Sequence, residues 1–220
     1  MKCKNCNSTC IKKGFQKNSK QKYRCTSCLL YQQDDYAYKA CNPLLNRQLV
    51  KLIKRGCGIR DISFIKDISS TTVLSRIRSI AHKIVPPSSF PLYGHYEMDE
   101  MHTYVWKSNV KTETYIAYAI HKESRMVVNF TVGNRDALTL GKTIDKILLN
   151  YPKKIRTDKW SAYPCIIPER LHVRSKRKIN QIERYNLTLR TRLRRLGYNR
   201  LSQSKTCEML EAYLKIYFWA

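Results

Sequence analysis

HYEMDEMHTYVW, residues 95–106, is the stretch on which the reading of the fold turns. Its aromatic and β-branched side chains predict a β-strand. Three acids, Glu97, Asp99 and Glu100, crowd into it, although the chain carries 42 Lys+Arg against 16 Asp+Glu, a formal net charge of +26. A carboxylate inside a half-buried strand is costly unless it meets a cation or hydrogen-bond donors. The acids in this run therefore raise the question of which cations they serve.

Outward from that strand the pattern repeats. Residues 113–121 and 125–132 share its Tyr, Val, Ile and Thr content and are joined by short polar turns, which predicts an antiparallel meander. DALTLGKTIDKILLNY, residues 136–151, places Leu140, Ile144, Ile147 and Leu148 at helical spacing. KKIRTD, residues 153–158, reads as a short strand ending at Asp158, and Leu171–Val173 as a further strand. Helices near 180–196 and 203–218 close the chain. These elements together predict a mixed α/β domain over residues 89–220.

Upstream, VPPSSFPL, residues 85–92, cannot continue a helix and marks a linker. Residues 42–88, linker included, read as three short helices. Pro43 suits a helix start. Leu45, Leu49, Leu52 and Ile53 share one face, and Gly56 and Gly58 stop that helix. Ile59, Ile62 and Ile65 recur every three residues in the next. Ser69 or Ser70 caps a third, whose buried stripe is Val73, Ile77, Ile80, Ala81 and Ile84. Thr71, Ser75, Arg78, Ser79 and His82 form its outer face. A polar and basic last helix after a short turn fits a helix-turn-helix, with Ser75 and Arg78 as candidate DNA contacts; any three-helix bundle also has such a solvated face.

Residues 1–41 are too polar to bury a core and need a staple. Cys3-x2-Cys6 and Cys25-x2-Cys28 have the spacing of a zinc ribbon, whose four thiolates would close a structural tetrahedral site. Cys10 is a rival ligand to Cys3 or Cys6. Cys41, Cys57, Cys165 and Cys207 stand alone.

Composition narrows the partners. No apolar run is long enough to span a membrane, and the first residues lack a signal-peptide core, so the expected location is the cytoplasm. Nine cysteines then point to thiols and metal rather than disulfides. Residues 1–90 hold 18 basic and 4 acidic side chains, residues 91–150 hold 7 and 7, and residues 151–220 hold 17 and 5. Two basic blocks around a neutral one fit a polyanion, with double-stranded DNA the default.

Within that frame Asp99 and Asp158 sit on strands, and Glu183 lies in NQIERYNLTLRTRLRRLGY, residues 180–198, on the same helix side as Leu187, Arg190 and Arg194. Two aspartates and a glutamate suit Mg2+ or Mn2+, whose remaining ligands would be phosphate oxygens. Spacing alone equally allows three surface acids paired with arginines. His102 and His121 read as structural histidines.

The chain resembles the transposases of the insertion sequence 1 type. The resemblance runs through CxxC…CxxC, the helix-turn-helix and the acidic domain, and is most specific at YEMDE (96–100), TDKWSAY (157–163) and QIERYNLTLRTRLRRL (181–196). It implies a multidomain protein: a zinc ribbon, a helix-turn-helix and a C-terminal ribonuclease H-like domain of the retroviral-integrase kind. It implies Asp99, Asp158 and Glu183 as a Mg2+- or Mn2+-binding catalytic triad, and Arg190, seven positions after the glutamate, as a DNA contact near the cut. Trp160 and Asn186 also occupy motif positions. The front end would recognise terminal inverted repeats, and the protein would work as a homodimer or larger assembly on DNA in a bacterial nucleoid. A non-catalytic zinc-ribbon repressor and a structure-selective nuclease or resolvase are the alternatives.

Overall fold

In the computed structural model, residues 1–220 are described except 18, 35, 37, 88, 89, 91, 108, 109, 176–178 and 198–202, and the side chain of Lys107. The chain forms two compact units, residues 1–45 and 46–220.

The first unit is a small antiparallel sheet, β1 (Cys10–Phe15), β2 (Gln21–Cys25) and β3 (Tyr31–Gln33), in that order. Most of β1 is exposed, and the buried cluster is little more than Cys3, Cys10 and Cys25. So thin a core leaves the sulfurs to hold the unit together.

Three helices follow, α1 (Leu45–Lys54), α2 (Ile59–Lys66) and α3 (Ser70–Lys83), all but the first residue of α1 within the second unit. Ser69 caps α3, its Oγ accepting the Thr72 N–H at 3.1 Å. Leu49, Ile53, Ile62, Val73 and Ile77 are fully buried. Ile65, the last of the three isoleucines spaced by three, is 52% exposed. Residues three apart drift about 60° per step around an α-helix, so the eight-residue α2 buries Ile62 alone. The boundary expected at residue 88 falls outside the described residues. The three helices belong to the same compact unit as the sheet. Packing explains this: α3 lies along the last helix, with Arg78 Nε 3.2 Å from Glu208 Oε1. In addition, a Cβ added at Gly56 (φ +85°) would come within 2.2 Å of the Arg192 carbonyl oxygen.

The main sheet comprises β4 (His95–Lys107), β5 (Val110–His121), β6 (Val127–Gly133), β7 (Lys154–Thr157) and β8 (His172–Arg174), in the order β6-β5-β4-β7-β8. The first three strands are antiparallel, and β7 and β8 are parallel to β4. α4 (Ala137–Leu148) covers one face, burying Leu140, Ile144 and Ile147 with Tyr96, Met98 and Ile155. α5 (Asn180–Arg192) and α6 (Cys207–Trp219) cover the other, burying Ile182, Leu189, Leu210 and Leu214 with Met101, Val105 and Tyr118. This mixed α/β arrangement is consistent with the ribonuclease H-like expectation. α5 ends four residues earlier than its apolar periodicity suggests. Leu193 leaves helical geometry (φ −100°, ψ 89°), and a 3-10 turn, Arg194–Leu196, carries Leu196 into the core. Arg194 is thereby taken off the helical row of Glu183 and Arg190.

Candidate metal-binding active site

Strand register brings the first two acids together. β4 is the strand at which the sheet order reverses, the place where α/β sheets hold ligands. Its parallel pairing with β7 sets His95 opposite Lys154, Tyr96 opposite Ile155 and Glu97 opposite Arg156. Two residues further along each strand, Asp99 and Asp158 arrive level, just past the end of the shared ladder. Glu100 joins them: Asp99, Glu100 and Asp158 each offer a carboxylate oxygen, all within 4.8 Å of one another. Glu183 lies outside this group, exposed in the first turn of α5, but its charge reaches Asp99.

Each carboxylate of the group is held. Asp99 Oδ1 accepts the Glu100 N–H at 2.9 Å, and its Oδ2 accepts Asn186 Nδ2–H at 2.8 Å. Asn186 is fixed in turn, its Oδ1 accepting the Tyr118 hydroxyl at 2.7 Å. Asp158 Oδ1 accepts the Trp160 N–H at 2.9 Å. Glu100 accepts the Tyr163 hydroxyl and lies 3.6 Å from the Arg135 guanidinium, which stands 4.5 Å above the Trp160 ring. Burial, and after it the charges of Asp158 and Glu183, pushes Asp99 up to about 6, against the pull of its two donors. Burial, with Asp99 and Asp158, pushes Glu100 up to about 7 despite Tyr163 and Arg135. Carboxyls that repel each other in a partly dry site are relieved by a cation. The all-oxygen donor set fits a hard divalent ion, Mg2+ or Mn2+.

The third acid of the strand has a different task. Glu97 is 1% exposed and faces α5 rather than the cluster. Its Oε2 accepts the N–H groups of Gln181 and Ile182, each at 3.1 Å.

The candidate DNA contacts are spread out. Ser75 and Arg78 lie on exposed positions of α3, Arg78 against Glu208. Arg190 donates to the His102 carbonyl at 3.0 Å and the Leu196 carbonyl at 3.4 Å; Arg194 is exposed. His102 Nε2 pairs with Glu113 at 2.8 Å, and His121 Nδ1 meets Ser124 at 2.9 Å, as structural histidines do.

In the first unit, Cys3, Cys6, Cys25 and Cys28 bring their sulfurs within 4.8 Å of one another. The N–H groups of Asn5 and Cys28 point at Cys3 and Cys25 Sγ, both at 3.4 Å. Hydrogen bonds from Ser8 pull the Cys6 thiol down to about 6, toward the thiolate a metal needs. The set fits Zn2+. Cys10, the rival ligand, stands outside the group, its sulfur accepting Gln32 Nε2–H at 2.8 Å.

Sequence reasoning assigned no role to Glu100, Glu97, Tyr163 or Arg135. Two of these lay in plain view in the acidic strand. Strand alternation separates Glu97 and Asp99 from Glu100, but the partner waiting on each face is set by tertiary packing.

A family model described as IS1 transposase matches residues 95–219. Insertion element IS1 4 protein InsB of Escherichia coli (strain K12) is 36% identical over 135 residues, covering 61% of this chain and 78% of the relative. Insertion element IS1 9 protein InsB of the same strain is 36% identical over 141 residues, covering 63% and 81%. Among solved structures, a cryoEM structure of a simian T-cell lymphotropic virus intasome in complex with PP2A regulatory subunit B56 gamma shows a slight likeness. Its TM-score is 0.35 at 18% identity, with coverage of 65% of this chain and 59% of that one.

Proposed function

The chain belongs to the IS1 transposase family, and on that premise we propose that it is a DNA transposase that binds the ends of its element and carries out DNA cleavage and strand transfer. The observation that carries the proposal is the levelling of Asp99 with Asp158 at the reversal point of the sheet, with a third carboxylate within ligand distance.

Asp99, Asp158 and Glu183 are assigned as the catalytic carboxylates, with Glu100 a further oxygen donor beside them. Mg2+ or Mn2+ bound there would polarise the scissile phosphate and activate first water and then the freed 3′-hydroxyl. The chain's own part is to fix the donors before substrate arrives. Asn186 and the Glu100 N–H orient Asp99, and the Trp160 N–H orients Asp158. Arg190 uses two donors on backbone carbonyls and keeps others for a phosphate near the cut, and exposed Arg194 is assigned a further phosphate contact. The Zn2+ ribbon and α3, through Ser75 and Arg78, are assigned to the element ends, Arg78 exchanging Glu208 for phosphate. Joining two ends requires at least a homodimer on DNA.

The test is metal-dependent nicking and joining of DNA carrying the flanking inverted repeats. The wild-type chain should nick and join, and Asp99→Asn and Asp158→Asn should bind the ends equally well and cut neither. End binding without any Mn2+-dependent cut would leave a DNA-binding repressor, and cutting without joining a nuclease.

A further inference from the structure

We propose that Glu97 is a positioning residue for the acidic site: it fixes the start of α5 on β4, and so fixes where Glu183 stands relative to Asp99 and Asp158. The inference rests on the transposase reading above and goes beyond it.

α5 has no cap of its own. Its N-cap position is Ile179, with no side-chain hydrogen bond to the first turn. The first N–H groups of a helix need acceptors, and a negative charge there also favours the helix dipole. Glu97 supplies both from another element. Its buried carboxylate accepts the Gln181 and Ile182 N–H groups with one oxygen, while the other lies 4.0 Å from Lys122 Nζ. Glu183 is the next residue along. Two more ties follow down the same pair of elements, Asp99 to Asn186 and the His102 carbonyl to Arg190. Residues 97, 99 and 102 of β4 thus grip residues 181–182, 186 and 190 of α5 in roughly one-turn steps. Glu97 is the tie nearest Glu183 and itself stays out of the carboxylate group.

The experiment is Mn2+ binding to the full chain, followed by electron paramagnetic resonance of the free ion, with a melting curve for each variant. Glu97→Met keeps the volume and removes the acceptor; it should weaken Mn2+ binding about tenfold or more, the range found when groups that orient metal ligands are lost. It should likewise raise the Mn2+ concentration for half-maximal nicking, with end binding unchanged. Glu97→Gln keeps an acceptor oxygen and should stay within about threefold of wild type. If Glu97→Met does not fold, Glu97→Asp, one methylene shorter, should bind Mn2+ more weakly than Glu97→Gln. Wild-type Mn2+ affinity in a folded Glu97→Met, or in Glu97→Asp, overturns the positioning role, as does a lowered melting temperature alone. A wild-type chain that binds no Mn2+ overturns the transposase reading itself, and this inference falls with it.

Discussion

Three acids stand within four positions of one strand, and each meets a different environment. Glu97 is spent on helix amides, Asp99 faces Asp158 and α5, and Glu100 faces Tyr163 and Arg135. For Glu100 the consequence is a pH dependence with a definite sign. Its folded value, about 7, lies above the ordinary carboxylate value, so the folded chain holds a proton that the unfolded chain has lost. The metal-free protein should therefore lose stability as pH rises through that interval. Glu100→Gln removes the titration. By calorimetry its melting temperature should match wild type near pH 4 and exceed it by a growing margin up to about pH 8. Saturating Mn2+ should shrink that margin by stabilising the ionised wild type. A second variant separates the carboxylates: if Glu183 and Glu100 both supply ligands, Glu183→Gln and Glu100→Gln should each weaken Mn2+ binding. Asp99 and Asp158 could be picked from the sequence because strand ends and quoted motifs point at them. Glu100 could not be ranked, since its significance lies in Tyr163, 63 positions away.

Among the elements, the strands and helices of residues 95–219 follow their apolar periodicity closely. Exceptions occur where another element intrudes. α5 stops at Arg192, whose carbonyl abuts Gly56 at the end of α1. Gly56→Ala should therefore destabilise the second unit. A side chain at that positive φ costs about 1–3 kcal/mol before any backbone clash is counted, and a drop in the melting temperature of residues 46–220 would register it. The cysteine ribbon is the opposite case, an element readable from spacing alone because four sulfurs at fixed intervals leave few geometries. Cys25→Ser should lower bound zinc, measured by elemental analysis, and loosen residues 1–45 in hydrogen exchange. Unchanged zinc content would remove Cys25 from the ligand set.

For the molecule as a whole, charge and partition matter most. A net charge of +26 gathered into two basic blocks predicts end binding that weakens steeply with salt. The log–log slope should be about −0.9 for each phosphate neutralised, and a shallow slope would mean that most of those cations do not touch DNA. The division after Leu45 predicts that a chelator removing zinc melts the first unit and leaves the second unfolding at its usual temperature. One cooperative loss of both would contradict the partition.

The sequence by itself determined the order of elements, the spacing of the four clustered cysteines, the cationic composition and two acids to consider as a pair, because periodicity, ligand spacing and charge are local properties. Only the tertiary structure decided that Glu100 joins Asp99 and Asp158, that Glu97 caps α5, and that the three helices share a unit with the sheet. Each of these depends on a parallel register or an interhelical contact between residues far apart in the chain. Such pairings are chosen by the packing of the whole core and leave no local pattern to read.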